Sequence, residues 1–256
     1  MSSVRYSACI EWLFATEAPE FADRIALAKE AGLDAVEFWK WSNKDLDAVA
    51  AALERTGLSL AGILCEPIID LTDPANHQTF LAGVRASMAA AQRLGATVII
   101  AQSGNLLPDV PRADQHRAIV NVLVEAGRIL DESGVILALE PLNDKVDHPG
   151  YYLTSTAEGL DIVDEVACTE IKLLYDIYHA AMMGETVELL DGRIDRIVHV
   201  HLADLGGRAE PGRGSLDYAA RLAWLKDHGY AGLVGLEYRP SGATLDSLAF
   251  RANVRD

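Results

Sequence analysis

Short apolar runs, rich in Val, Ile and Leu, alternate eight times with longer stretches of helical spacing, and this repeat limits the available folds more than any other feature of the chain. The runs lie near Arg5–Ile10, Ala35–Trp39, Ser59–Cys65, Thr97–Gln102, Ile136–Pro141, Ile171–Asp176, Ile197–Asp204 and Leu233–Tyr238. Such continuous apolarity suits strands covered on both faces, as in a parallel sheet. Several of the intervening segments stop on glycine, at Gly32, Gly57, Gly95, Gly134 and Gly229. A glycine just past a helix takes the left-handed conformation without a Cβ penalty. Thr154–Ser155–Thr156–Ala157–Glu158 offers N-cap hydroxyls with a nearby acid and marks a helix start. Strand-then-helix order implies a parallel sheet, and eight units within 256 residues point to a closed, single (β/α)8 TIM barrel occupying 1–256 as one domain. An open doubly wound sheet is the alternative, but no Gly-x-Gly-x-x-Gly follows the first run to support a dinucleotide fold.

Composition narrows the partners. Hydrophobic residues make up 50% of the chain, enough for a sizeable core and too many for a disordered one. The formal net charge is -16 and no basic run exceeds two residues, so nucleic acid is not an expected partner. No apolar run approaches the roughly 20 residues of a membrane helix, so no membrane partner is expected either. Cys9, Cys65 and Cys168 are too few and too scattered for a disulfide framework, which suits a reducing, cytoplasmic location.

The chemistry collects where the later runs end. The fifth run ends in Glu140, the sixth in Asp176, the seventh carries His199 and His201, and the eighth reaches Glu237. Side chains alternate across a strand, so Ala138 shares a face with Glu140, and Gly235 with Glu237. Small residues below and a carboxylate at the mouth fit a crowded barrel interior opening onto a polar site. Taken singly, a terminal Glu is ordinarily a solvated loop entry, and a His in an apolar run is ordinarily a core residue. Four such groups at successive strand ends can instead converge on one point. Clustered carboxylates resist ionising together, and a divalent cation relieves their repulsion. Carboxylate-rich ligation favours Mg²⁺ or Mn²⁺, and His201 keeps Co²⁺ and Zn²⁺ open. His179 lies just beyond Asp176, and Gln102 ends the fourth run. Trp12, Trp39 and Trp41 stand at the mouths of the first two runs as candidate pocket walls, and Glu66 follows the third. Arg208, Arg213 and Arg239 are the nearby cations, and Arg239 shares the parity of Glu237 if the last strand extends that far.

These motifs resemble the hydroxypyruvate isomerase family. The resemblance rests on Leu139–Glu140–Pro141–Leu142–Asn143, Pro149–Gly150–Tyr151, Tyr175–Asp176–Ile177–Tyr178–His179, His199–Val200–His201–Leu202–Ala203–Asp204, Glu210–Pro211–Gly212–Arg213–Gly214 and Glu237–Tyr238–Arg239–Pro240. The opening Tyr6–Ser7–Ala8–Cys9–Ile10 is similar too, so the likeness covers nearly the whole chain. That family sits among the xylose-isomerase-like barrels, beside sugar 3-epimerases and inosose-processing enzymes. The resemblance implies that Glu140, Asp176, His201 and Glu237 hold one divalent metal, that Glu140 and Glu237 transfer the proton, and that His179 and Arg208 contact substrate. His201 departs from the bacterial hydroxypyruvate isomerases, which tend to have Gln, and matches the 3-epimerases instead; Arg208 is one residue off the epimerase spacing. The implied reaction is isomerisation of a small hydroxy-keto acid or a sugar through an enediolate. A ketose 3-epimerase and a keto-sugar lyase or dehydratase share its first step. A homo-oligomer, dimer or tetramer, is also implied. A DNA-repair endonuclease of the same superfamily would need a basic surface and more than the seven histidines present. A non-catalytic metal-binding or interaction protein stays open as an alternative, which the paired carboxylates beside the metal disfavour.

Overall fold

The computed structural model describes residues 4–254. Every apolar run forms parallel strand: β1 (Arg5–Cys9), β2 (Ala35–Glu37), β3 (Ser59–Leu60), β4 (Ile63–Leu64), β5 (Val98–Gln102), β6 (Ile136–Glu140), β7 (Ile171–Asp176), β8 (Ile197–Leu202) and β9 (Leu233–Leu236). The third run differs from expectation. It is not one strand over Ser59–Cys65 but is broken at Ala61–Gly62 into β3 and β4. β3 pairs with β2 and β4 with β5. The sheet order runs β3-β2-β1-β9-β8-β7-β6-β5-β4, so both of its ends belong to that one run and the sheet closes on itself. Backbone bonds cross the break: Ala61 N–H donates to Val36 O at 2.7 Å, and Cys65 N–H to Ile100 O at 2.7 Å. The result is a single (β/α)8 barrel whose third strand turns from one neighbour to the other.

The helices are α1 (Asp23–Glu30), α2 (Leu46–Thr56), α3 (His77–Leu94), α4 (Arg112–Leu130), α5 (Thr156–Val166), α6 (Ile177–Met183), α7 (Tyr218–Asp227) and α8 (Thr244–Ser247). Their ends follow the sequence signals. Gly57 and Gly95 close α2 and α3 at φ 66° and 73°, and the Ser155 hydroxyl accepts from Glu158 N–H to start α5. No helix among the described residues is long and apolar enough to cross a membrane.

The apolar strand residues build two layers. The large core fills the space between strands and helices, and each fully buried Leu, Ile or Val in it contributes about 1.5–3 kcal/mol. A smaller cluster of Leu64, Val98, Ile100, Ala138 and Leu174 fills part of the barrel interior. The same inward parity carries Gln102 and Glu140 one step above Ile100 and Ala138, at the C-terminal mouth. This is where barrels of this kind place their sites.

Candidate functional site

Glu140 and Asp176 are the last residues of β6 and β7, His201 is the fifth of β8, and Glu237 immediately follows β9. Strand pairing sets these ends side by side, with Asp176 opposite His201 and His201 opposite Gly235. All four side chains are buried, at 3–6% exposure. One donor atom from each lies within 4.8 Å of the others. His201 turns Nδ1 toward the carboxylates, 3.2 Å from Glu140 Oε1 and 3.4 Å from Glu237 Oε2. Three carboxylates and an imidazole nitrogen facing one point are a donor set that fits a divalent cation.

The electrostatics separate the two glutamates. Burial, reinforced by Glu237 and Asp176, outweighs the His201 bond and pushes Glu140 up to about 7. Burial would raise Glu237 as well, but Arg208 and His201 offset it and hold that carboxyl well below the usual range. Glu237 is also oriented by Trp39, whose Nε1–H donates to Oε1 at 2.7 Å.

Arg208 reaches the site by a local distortion. Gly206, Gly207 and Arg208 take positive φ in succession, at 85°, 100° and 55°. For an arginine this is a sparsely populated, strained conformation, of the sort found at functional sites. It directs the guanidinium inward, where Nη2 pairs with Glu237 and lies 3.6 Å from Asp176 Oδ2. The rings of Trp12 and Tyr178 flank it at 5.1 and 5.2 Å.

Asp176 has two duties. It caps α6, accepting from His179 N–H at 2.9 Å through Oδ1, while Oδ2 lies 3.6 Å from His179 Nε2. The Asn143 backbone N–H donates to His179 Nδ1 at 3.0 Å. Nδ1 is therefore an acceptor, and the proton sits on Nε2, which is buried with no hydrogen-bond partner among the described residues. Burial lowers His179 to about 4, so at neutral pH it is an uncharged donor. Tyr151, from the Pro-Gly-Tyr motif, donates its hydroxyl to Glu140 O at 3.0 Å and pins that strand end.

A cavity of about 390 Å³ opens above these groups. Glu140, His201, Glu237, His179 and Arg208 line it, and Asp176 sits just behind. Gln102, Trp12, Trp39 and Arg239 form its walls and mouth. Arg239 gets there differently from the expectation: β9 stops at Leu236, and the arginine is exposed, with its guanidinium 5.0 Å over the Trp12 ring. Trp41, Glu66 and Arg213 are not brought to the cavity. Trp41 donates to Ser87, Glu66 accepts from the backbone at Trp41 and Ser42, and Arg213 pairs with Glu210.

The geometry agrees with what the chain is similar to. The family model described as the xylose isomerase-like TIM barrel matches residues 25–253. The chain belongs to that family. It is 31% identical to the hydroxypyruvate isomerase of Escherichia coli (strain K12), over 94% of this chain and 95% of the relative. It is 35% identical to a Streptomyces coelicolor protein provisionally named a hydroxypyruvate isomerase, over 92% and 91%. A crystal structure described as an AP endonuclease, family 2, from Brucella melitensis superposes with a TM-score of 0.90 at 29% identity, covering 99% of this chain and all of that one.

Sequence reasoning passed over several residues that border this cavity or stand close behind it. Lys44 pairs with Glu11 at the cavity edge at 2.8 Å. His148 lines the cavity beside His179, ring centroids 5.6 Å apart. Both stand in loops, where no periodicity signals orientation. Glu37, buried at the end of β2, did carry a signal: an acid inside an apolar run, on the parity of Ala35 and Trp39.

Proposed function

We propose that this chain is a divalent-cation-dependent isomerase of a small hydroxy-keto acid, interconverting a hydroxypyruvate-type hydroxy-ketone and its hydroxy-aldehyde isomer. The observation that carries this is the pairing of Glu140 and Glu237 within one buried donor set at the mouth of the barrel. The similarity to hydroxypyruvate isomerases supports the substrate class, as does Arg239 at the cavity mouth.

Glu140, Asp176, His201 and Glu237 would hold the cation, Mg²⁺ or Mn²⁺ by their carboxylate content. Once bound, it supplies Lewis acidity that raises the acidity of the C–H beside the substrate carbonyl. The chain's own groups do the rest. One glutamate removes the proton from the carbon bearing the hydroxyl, and a proton returns to the neighbouring carbon while the hydroxyl proton changes oxygen, so no atom is gained or lost. The Nε2–H of His179 and the Arg208 guanidinium face the cavity as donors to an oxygen on which negative charge grows. Trp12 and Trp39 wall the site against water, and Trp39 holds Glu237 in place.

A proton returned to the opposite face of the same carbon gives epimerisation instead. The His201 that matches the 3-epimerases favours that second reading. Incubation with hydroxypyruvate and with neutral ketoses in D₂O, plus Mg²⁺ or Mn²⁺, separates the two. The proposal expects an aldehyde product with deuterium at the acceptor carbon. Turnover of ketoses alone, with inversion at one carbon, would replace it by the epimerase reading.

A further inference from the structure

Behind His201, on the side away from the cavity, the barrel interior holds a second group of polar side chains. Glu37 is its centre, 3% exposed. Its Oε2 accepts from Ser7 Oγ at 2.8 Å and lies 2.8 Å from His199 Nε2. Its Oε1 lies 3.1 Å from His201 Nε2. Both of those atoms are buried without a well-aligned hydrogen bond to any described residue, so each is the partner the other has within reach. A carboxylate in such a place must meet donors or be strongly destabilised.

Room for this contact is provided on purpose by one residue. Ser7, Gly235 and His201 are register partners across β1, β9 and β8, and Glu37 passes over this row from β2. A Cβ on Gly235 would fall against Glu37 Oε1, 2.8 Å from Oε2 and 2.7 Å from His201 Cδ2. Any side chain there would push the carboxylate and the imidazole apart.

We infer that Glu37 is a positioning residue for His201: by accepting its Nε2–H it fixes the tautomer and the ring plane, leaving the Nδ1 lone pair aimed at Glu140, Asp176 and Glu237. Metal-ligating histidines commonly have such a carboxylate behind them. An ionised carboxylate only accepts, so it can serve Nε2 only if Nε2 carries the proton. Glu37, His199 and His201 also stand close enough to be read as ligands of an ion of their own. Their separations of 2.8–3.1 Å are those of hydrogen bonds, and Ser7 already occupies Oε2.

The inference rests on the cation site proposed above, and the test separates the two. Mn²⁺ affinity and stoichiometry are measured by calorimetry on the chelator-treated full chain, for the wild type, Glu37→Gln, Gly235→Ala and Asp176→Ala. ¹⁵N-histidine NMR of the Mg²⁺-loaded protein, assigned with His201→Gln, reports the protonated ring nitrogen. One ion per wild-type chain is expected. Glu37→Gln and Gly235→Ala should each weaken Mn²⁺ by roughly 10–100-fold, with loss of the slowly exchanging His201 Nε2–H signal. Wild-type affinity in folded Glu37→Gln, or two ions per wild-type chain, would overturn the positioning role. So would a His201 without an Nε2 proton in the loaded wild type, a reading that needs no variant to fold. Wild-type affinity in Asp176→Ala would instead bring down the cation site itself.

Discussion

Arg239→Met tests the acidic substrate class most directly. The two cavity arginines are differently committed. Arg208 is buried and paired with Glu237 and Asp176, so removing it would disturb the carboxylate proposed to transfer the proton as well. Arg239 is exposed at the mouth, lies over Trp12, and is held by its backbone N–H to Arg208 O at 2.8 Å. Its side chain can therefore be exchanged with little effect on the fold. A charge-assisted pair contributes about 1.5–3 kcal/mol. Exposure and screening put this one at the lower end, so about 1.5 kcal/mol, or roughly tenfold in KM for hydroxypyruvate, with kcat little changed. Initial rates on hydroxypyruvate and on a neutral ketose measure it. The ketose KM should move by less than about twofold, and added salt should weaken the wild-type preference for the acid. Arg239→Lys should fall between, since an ammonium keeps the charge but not the two-pronged geometry. Equal effects on acid and ketose, or none on either, would refute an arginine-held carboxylate and favour the ketose.

Glu140→Gln and Glu237→Gln keep size and lose the base, and each should lower kcat by at least about 10²-fold; near-normal turnover would remove that residue from proton transfer. Metal analysis of Asp176→Ala and His201→Ala should show strongly reduced occupancy, and chelator treatment of the wild type should abolish turnover until Mg²⁺ or Mn²⁺ is restored. His179 is held to about 4 by burial, below its ordinary value of 6.5. The unfolded chain thus binds this proton first, and its contribution to stability, full above about pH 6.5, is lost as pH falls toward 4, at up to about 1.4 kcal/mol per unit. The melting temperature of His179→Gln should therefore fall less steeply over that window than that of the wild type; parallel curves would contradict the buried neutral imidazole.

The sequence by itself determined the repeating strand-helix order, the helix stops and the faces that Glu140 shares with Ala138 and Glu237 with Gly235. These are local properties: apolar runs report burial, and alternation reports which face a residue takes. Only the tertiary structure decided how the barrel closes. The apolar run Ser59–Cys65 reads as one strand, yet it breaks at Ala61–Gly62 because it must bond to β2 on one side and β5 on the other. The tautomer of His179 depends on an amide 36 residues away, at Asn143. The contact of Glu37 with His201 joins β2 to β8 and needs the missing side chain of Gly235. Arg208 enters through a Gly-Gly turn whose direction no periodicity encodes, and Arg239 lies past the end of β9, where strand parity no longer applies. Each of these is set by closure of the sheet across the barrel, which brings distant segments to one point and fixes distances that a local pattern cannot carry.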